Sequence, residues 1–191
     1  PLIALVQDSE GNDLTFSEAS ISSIYIVNTE TGEVVRELTG HRQFIWSLAF
    51  TPDGRYLLSG DYAPDFLYDE QQLYVWDWER GERIMEFSEH VGWVPAIAVS
   101  PDGRLVASGD AAGTNIFIWN MLTGEIVHHL TAHQDWVQSL AFSPDGQWLY
   151  STGRDGHIYR WDVITGEQIE EFGDGIGGEV GAQALTLNAD G

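Results

Sequence analysis

Six histidines, thirty carboxylates and a scatter of serines are the groups in this chain whose types invite chemistry. His128, His129 and His133 fall close together and raise a metal reading, because imidazole nitrogen is a common zinc ligand. His128 and His129 are adjacent in a strand-like run, however, and neighbours in a strand point to opposite faces. Asp61, Asp65, Asp69 and Glu70 offer the oxygen ligands that calcium takes, but not at the spacing of the roughly twelve-residue calcium loop. They read as solvated acid, and no metal site is expected. The chain has no Gly-x-Ser-x-Gly elbow, phosphate loop or His-Glu-x-x-His helix. Carboxylates are so frequent that none stands out as an acid/base pair. The expectation is a chain that is not an enzyme and takes no cofactor.

The elements that must hold these residues are legible from a repeat, which is the first thing to seek. Thr51-Pro52-Asp53-Gly54, Ser100-Pro101-Asp102-Gly103, Ser143-Pro144-Asp145-Gly146 and Asn188-Ala189-Asp190-Gly191 set their glycines 49, 43 and 45 residues apart. Thr31-Gly32-Glu33, Arg80-Gly81-Glu82, Thr123-Gly124-Glu125 and Thr165-Gly166-Glu167 recur at 49, 43 and 42. Val27-Asn28, Trp76-Asp77, Trp119-Asn120 and Trp161-Asp162 keep the same phase. Between these markers lie short runs rich in β-branched and aromatic residues, such as Asn115-Ile116-Phe117-Ile118-Trp119, of strand length. No window shows a helical stripe. Each repeat therefore predicts four antiparallel strands. First strands fall near 45–50, 94–99, 137–142 and 182–187, and second strands near 2–6, 56–59, 105–108 and 148–152. Third strands fall near 23–27, 72–76, 115–119 and 158–161, and fourth strands near 34–38, 83–87, 126–130 and 168–172.

Composition agrees and excludes other classes. The chain has 191 residues, 43% hydrophobic and 12% aromatic, which a disordered acidic tail would lack. It has no cysteine, hence no disulfide framework. No run approaches the length that spans a bilayer. The net charge is −22, and all eight basic residues are arginine. That charge repels phosphates and anionic lipid, so neither nucleic acid nor membrane insertion is expected.

With Gly40-His41, Glu89-His90 and Ala132-His133 before the first strands, and Trp-Asp or Trp-Asn closing the third, the chain resembles the WD-repeat β-propeller family. The resemblance covers nearly the whole chain. It implies an all-β fold of radial four-stranded blades, about four in this chain, as part of a seven- or eight-bladed ring. The repeats run approximately over 1–39 (partial), 40–88, 89–131, 132–173 and 174–191 (partial). The resemblance also implies a buried network of His, Ser or Thr, Asp and Trp. The matching residues are His133, Ser151 or Thr152, Asp155 and Trp161; His41, Ser59 and Trp76, with Asp61 and Asp69 competing; and His90, Ser108 and Trp119, with Ala112 near the expected Asp and Asp110 a weaker candidate. The first repeat has Val27 for Trp and Gly177-Gly178 for the His, so its network is expected to be absent.

The two chain ends, joined, would read as one more Ser-Pro-Asp-Gly turn. Three arrangements stay open: a segment of a longer propeller, half of an eight-bladed ring completed by a second copy, and a closed four-bladed ring.

Strand alternation puts the turns before first strands, and those between second and third strands, on one end, the top. The Ser-Pro-Asp-Gly and Thr-Gly-Glu turns share the bottom. Both long insertions, Gln7 to Ser22 and Asp61 to Gln71, are on top; the second carries Tyr62, Asp65, Phe66 and Tyr68. Phe44, Trp93 and Trp136 each stand three residues after a network histidine, so they share one place near the top. They either anchor a partner or wedge between blades as core. Arg42, Gln134 and Asp135 in the same loops are candidates for partly exposed contacts. The function expected is an interaction scaffold presenting top loops to a protein partner with a basic face, or to further blades or a second copy. The alternatives are a sensor segment of a larger enzyme or signalling protein, and a propeller hydrolase or lyase with its site in the channel.

Overall fold

The computed structural model describes residues 1–7, 23–41, 44–62, 73–112, 114–172 and 184–188. The fold is all-β, and no helix occurs among these residues. β1 (Leu2–Gln7), β2 (Ser23–Asn28) and β3 (Val34–Leu38) form a three-stranded sheet in that order. Three four-stranded sheets follow, each a meander of consecutive antiparallel strands. The second sheet is β4 (Phe44–Phe50), β5 (Tyr56–Tyr62), β6 (Leu73–Asp77) and β7 (Glu82–Phe87). The third is β8 (Ala96–Val99), β9 (Leu105–Gly109), β10 (Asn115–Asn120) and β11 (Ile126–Thr131). The fourth is β12 (Val137–Phe142), β13 (Trp148–Gly153), β14 (Ile158–Asp162) and β15 (Gln168–Phe172). These sheets are propeller blades. The strand runs read from the sequence coincide with fifteen of these elements to within a few residues. Two differences have local causes. β8 starts at Ala96 rather than 94, because Pro95 has no N–H to give the ladder. Of the run 182–187 read as a first strand, the described residues 184–187 carry no strand; the Leu185 N–H instead reaches Ser139 Oγ at 3.1 Å.

Three apolar clusters join neighbouring blades in sequence. Ile24, Ile26 and Leu38 of the first blade meet Leu57, Tyr74, Trp76 and Trp78 of the second. Leu58, Leu73 and Val75 of the second meet Val106, Phe117 and Trp119 of the third, and Ile116 and Ile118 of the third meet Leu149, Tyr159 and Trp161 of the fourth. Burial of these side chains against the next sheet, at roughly 25 cal/mol per Å², is what keeps the blades stacked. The first strands β4, β8 and β12 are consecutive neighbours on the inner side. Their approach is close: a Cβ on Gly60 would lie 2.7 Å from Val94 O of the next blade. Glycine is the residue that admits this contact.

The bottom turns repeat one hydrogen-bonded unit. Thr51, Ser100 and Ser143 each donate a hydroxyl to the aspartate two residues on, at 2.5, 2.7 and 2.6 Å. Asp53, Asp102 and Asp145 accept a backbone N–H from Arg55, Arg104 and Gln147 at 3.0 Å each. The glycine that follows has φ of 71–72° in all three, a backbone region that penalises any Cβ.

Two register slips matter for the top. In β4 the pairing with β5 jumps from Ile45 to Ser47, and in β12 the pairing with β13 jumps from Val137 to Ser139. Trp46 and Gln138 are therefore bulged residues, and a bulge re-aims the side chain it carries.

Candidate functional site

The top is built on three buried networks. In the fourth blade, the indole Nε1–H of Trp161 donates to Ser151 Oγ at 2.9 Å, and Ser151 lies 2.9 Å from His133 Nε2. His133 Nδ1 lies 3.0 Å from Asp155 Oδ2. The chain of bonds assigns the roles: the serine hydroxyl donates to Nε2, and a neutral imidazole donates its Nδ1–H to the carboxylate. Thr152 is buried beside this set, while Ser151 makes the contacts. In the second blade, Ser59 Oγ lies 2.5 Å from His41 Nε2 and accepts from Trp76 Nε1 at 2.8 Å. In the third, Ser108 Oγ lies 2.7 Å from His90 Nε2 and accepts from Trp119 Nε1 at 3.0 Å.

The aspartates differ. Asp61 and Asp110 follow their serines by two residues and stand 3.8 and 3.6 Å from the histidine Nδ1, beyond hydrogen-bond distance. Asp155 follows by four, at the tip of a tight turn, and closes the bond. Of the two carboxylates competing in the second blade, Asp61 is the one beside His41; Asp69 lies outside the described residues. In the third blade Asp110 is fully buried and serves the same turn. Asp110 Oδ2 accepts the N–H of Val91 at 3.3 Å, and Asp155 Oδ2 accepts that of Gln134 at 2.8 Å. Each carboxylate thus clamps the residue after its histidine, where the top loop starts.

Burial pushes the His41 and His133 imidazoles below their ordinary pKa, against the opposing pull of Asp61 and Asp155. Burial alone would raise the Asp110 and Asp155 carboxyls. The nearby His90 ring and the bonds from Asn115 at the first, and bonds from the Gln134 and His157 N–H groups at the second, outweigh it and lower both.

The loops held this way present aromatic rings. Phe44, Tyr62, Trp93 and Trp136 are half-buried, and Trp46 is 55% exposed. Trp46 rests on Tyr62, with centroids 5.1 Å apart and 29° between the planes. Tyr62 meets Trp93 at 4.2 Å and Phe44 at 6.3 Å. Trp93 meets Trp136 edge-on at 4.6 Å, and the Arg154 guanidinium lies 5.0 Å from the Trp136 ring centre. The result is a continuous ledge crossing three blades, in which Phe44, Trp93 and Trp136 are neither pure core nor free anchors. Backbone bonds fix it: Arg154 N to Trp136 O at 2.8 Å, and Ala111 N to Trp93 O at 3.0 Å. Gln134 is exposed, and Asp135 accepts the Trp136 N–H at 2.8 Å. Arg42, Asp65, Phe66 and Tyr68, and with them most of both insertions, lie outside the described residues.

Trp46 is the site residue that the sequence pattern hides, since alternation gives no sign of the bulge. Beside it a cavity of about 270 Å³ opens between β4, β8 and β12, lined among others by Trp46, Pro95 and Gln138. The remaining histidines are apart. His128 Nε2 lies 3.0 Å from Ile164 O, and His129 Nε2 2.7 Å from Asn115 Oδ1. No group of three potential metal ligands converges among the described residues.

The WD domain, G-beta repeat family matches residues 32–77, 81–120 and 124–162. Among solved structures, U3-55K is similar at 28% identity and a TM-score of 0.64, over 71% of this chain and 41% of that one. The chain thus spans about two-fifths of that protein's length. No curated protein matches it.

Proposed function

The chain belongs to the WD domain, G-beta repeat family, whose repeats generally mediate protein–protein contacts and are typically non-catalytic, and from that premise we propose that it is a scaffold whose top aromatic ledge receives a partner protein. The observation that carries this reading is the ledge itself: five touching aromatic residues across three blades, with Trp46 55% exposed on a rigid base. Aromatic rings on pre-organised backbone are what interface hot spots are made of. The net charge of −22 favours a partner with a basic face and an association rate that falls with salt. Leu2, Ile3 and Leu5 on β1 are 37%, 43% and 43% exposed, so further blades or a second copy packed there would cover apolar surface.

A photo-reactive phenylalanine placed at Trp46 or Asp135 is expected to crosslink the partner, while the same group at Asp102 or Gln147 on the bottom gives little. Equal crosslinking from both ends would overturn the assignment of the ledge.

A further inference from the structure

We infer that the far face of the fourth blade is a seam for a blade that ends its third strand in Trp and carries a cationic side chain in its bottom turn, and that the chain's own first blade does not fit it. On the third strands, Ile26, Val75 and Ile118 hold one place, each fully buried in the cluster shared with the following blade. Paired with them on the fourth strands stand Arg36, Met85 and His128. Each of these seats on the bottom turn of the following blade. Arg36 Nη2 donates to Glu79 O at 2.5 Å, and His128 Nε2 donates to Ile164 O at 3.0 Å. A Cβ on Gly124 would lie 3.7 Å from Met85 Sδ. In the fourth blade the same two places hold Arg160 and Glu170, 28% and 45% exposed, with Arg160 Nη2 2.9 Å from Glu170 Oε2. No further sheet follows among the described residues.

The charged couple selects its occupant. Covering it as the other seams are covered takes two charges out of water, which is costly unless the occupant adds favourable contacts to both. Arg160 holds the place that clusters with Trp76, Trp119 or Trp161 of the following blade in the other seams, and an indole face attracts a guanidinium. Glu170 holds the place that meets the following bottom turn. A carboxylate only accepts, so that turn must bring a donor, and a cation gives the stronger, charge-assisted bond. The second blade shows the combination within one repeat: Trp76 and, in its bottom turn, Arg80, 70% exposed. The first blade offers the reverse, whether it comes from a second copy or by closure of the chain on itself. Val27 stands in place of Trp. Its turn has the same form, with Gly32 N bonded to Asn28 O at 2.8 Å as Gly81 N is to Asp77 O at 2.9 Å. That turn would bring Glu30 and Glu33 toward Glu170, and like charges set against each other suppress the pairing.

The test gives the first blade what the seam asks for and weighs the whole chain by sedimentation equilibrium. Thr31 occupies the place of Arg80, so Thr31→Arg copies the second blade's turn, and Val27→Trp with Thr31→Arg copies both features. The wild-type chain should show no discrete two-copy species at micromolar concentration. The Thr31→Arg chain should gain one, bound several-fold more tightly than any wild-type pairing, and the double variant should bind more tightly still. Adding Glu170→Gln to Thr31→Arg should remove the gain, and added salt should weaken it. Both variants keeping the wild-type mass would overturn the proposal. So would a wild-type pair of copies that Glu170→Gln leaves unchanged or weakens, since the first blade would then fit the seam as it stands. The seam is apart from the ledge, so either result leaves the scaffold reading to its own crosslinking test.

Discussion

The bottom turns and the top ledge are both loop surfaces on the same blades, yet they spend their side chains differently. At the bottom, the Thr51, Ser100 and Ser143 hydroxyls and the Asp53, Asp102 and Asp145 carboxylates bond within their own turns, three times in the same geometry. At the top, Phe44, Trp93 and Trp136 hold the same place in three repeats, but their surroundings differ. Among the described residues, Tyr62 and Trp46 join the ring set in the second blade alone, and an arginine lies over the shared ring in the fourth alone, at Trp136. Where the repeat is kept, hydrogen-bonding capacity is consumed in making the fold. Where it is broken, rings are left half-open on a rigid support, and that is where a partner can gain from contact. The buried networks lie between the two regimes: they are repeated and internally paired, but they end by clamping the top loops through Val91 and Gln134.

The largest effect should come from cutting a network. Ser151→Ala leaves both His133 Nε2 and Trp161 Nε1 buried without partners, a loss of about 2 to 4 kcal/mol, read as a lowered urea midpoint. Ser59→Ala should cost a comparable amount and also loosen the start of β4. A midpoint unmoved by either change would mean that these networks are bystanders and that apolar contact between blades alone holds the top.

The next effect is on pH. His41 and His133 have folded-state pKa values below the ordinary histidine value. The unfolded chain therefore binds more protons than the native one as pH falls from about 6.5 toward the folded values, and stability must fall with it. The lowered Asp110 and Asp155 carboxyls act at lower pH: their contribution is complete above the ordinary aspartate pKa and is lost as pH falls through the folded values. Unfolding midpoints taken between pH 7 and 5.5 should decline, and His133→Gln should be less stable at pH 7 but show a shallower decline. An unchanged slope in that variant would place the titration elsewhere.

A smaller effect is expected at the bottom. Asp145→Asn keeps the shape of the turn but weakens its bonds from Ser143 and the Gln147 N–H, which hold the carboxyl below its usual range. The midpoint should drop by less than for Ser151→Ala, with ledge crosslinking intact. Loss of crosslinking there would erase the division between the two ends.

How far the sequence foretold this division depends on which side of it a residue stands. The strands and bottom turns follow from markers repeated in phase, because period-2 alternation and Asp-Gly turn chemistry act locally. Phe44, Trp93 and Trp136 were legible by their equal offset from His41, His90 and His133. Trp46 and Gln138 were not, because a one-residue slip between Ile45 and Ser47, or Val137 and Ser139, leaves no trace in alternation. The choice of Asp61 and Asp110, two residues after their serines rather than four, depends on how each chain leaves its strand, which spacing alone does not give. In the described part of the run 182–187, residues 184–187, an alternating pattern does not make a strand: Leu185 bonds a side-chain oxygen of the neighbouring blade, not a β ladder.

The smallest effect on the fold should be the most telling for function. Trp46 is bulged out of the β4 ladder, 55% exposed, stacked on Tyr62 at 5.1 Å and more distantly on Trp93 at 6.5 Å, contacts of modest worth. Trp46→Ala should shift stability by no more than about 0.5 to 1 kcal/mol, the scale of a surface change plus one aromatic pair. The same substitution should remove most crosslinking from a probe at Asp135, because the ledge loses its one strongly exposed ring. Trp93→Ala is the matched control: its ring bridges Tyr62 and Trp136, so it should cost both stability and partner contact. A variant at Trp46 that is destabilised yet still crosslinks normally would place that ring with the buried networks, and the line between fold-making and partner-facing residues would have to be redrawn below it.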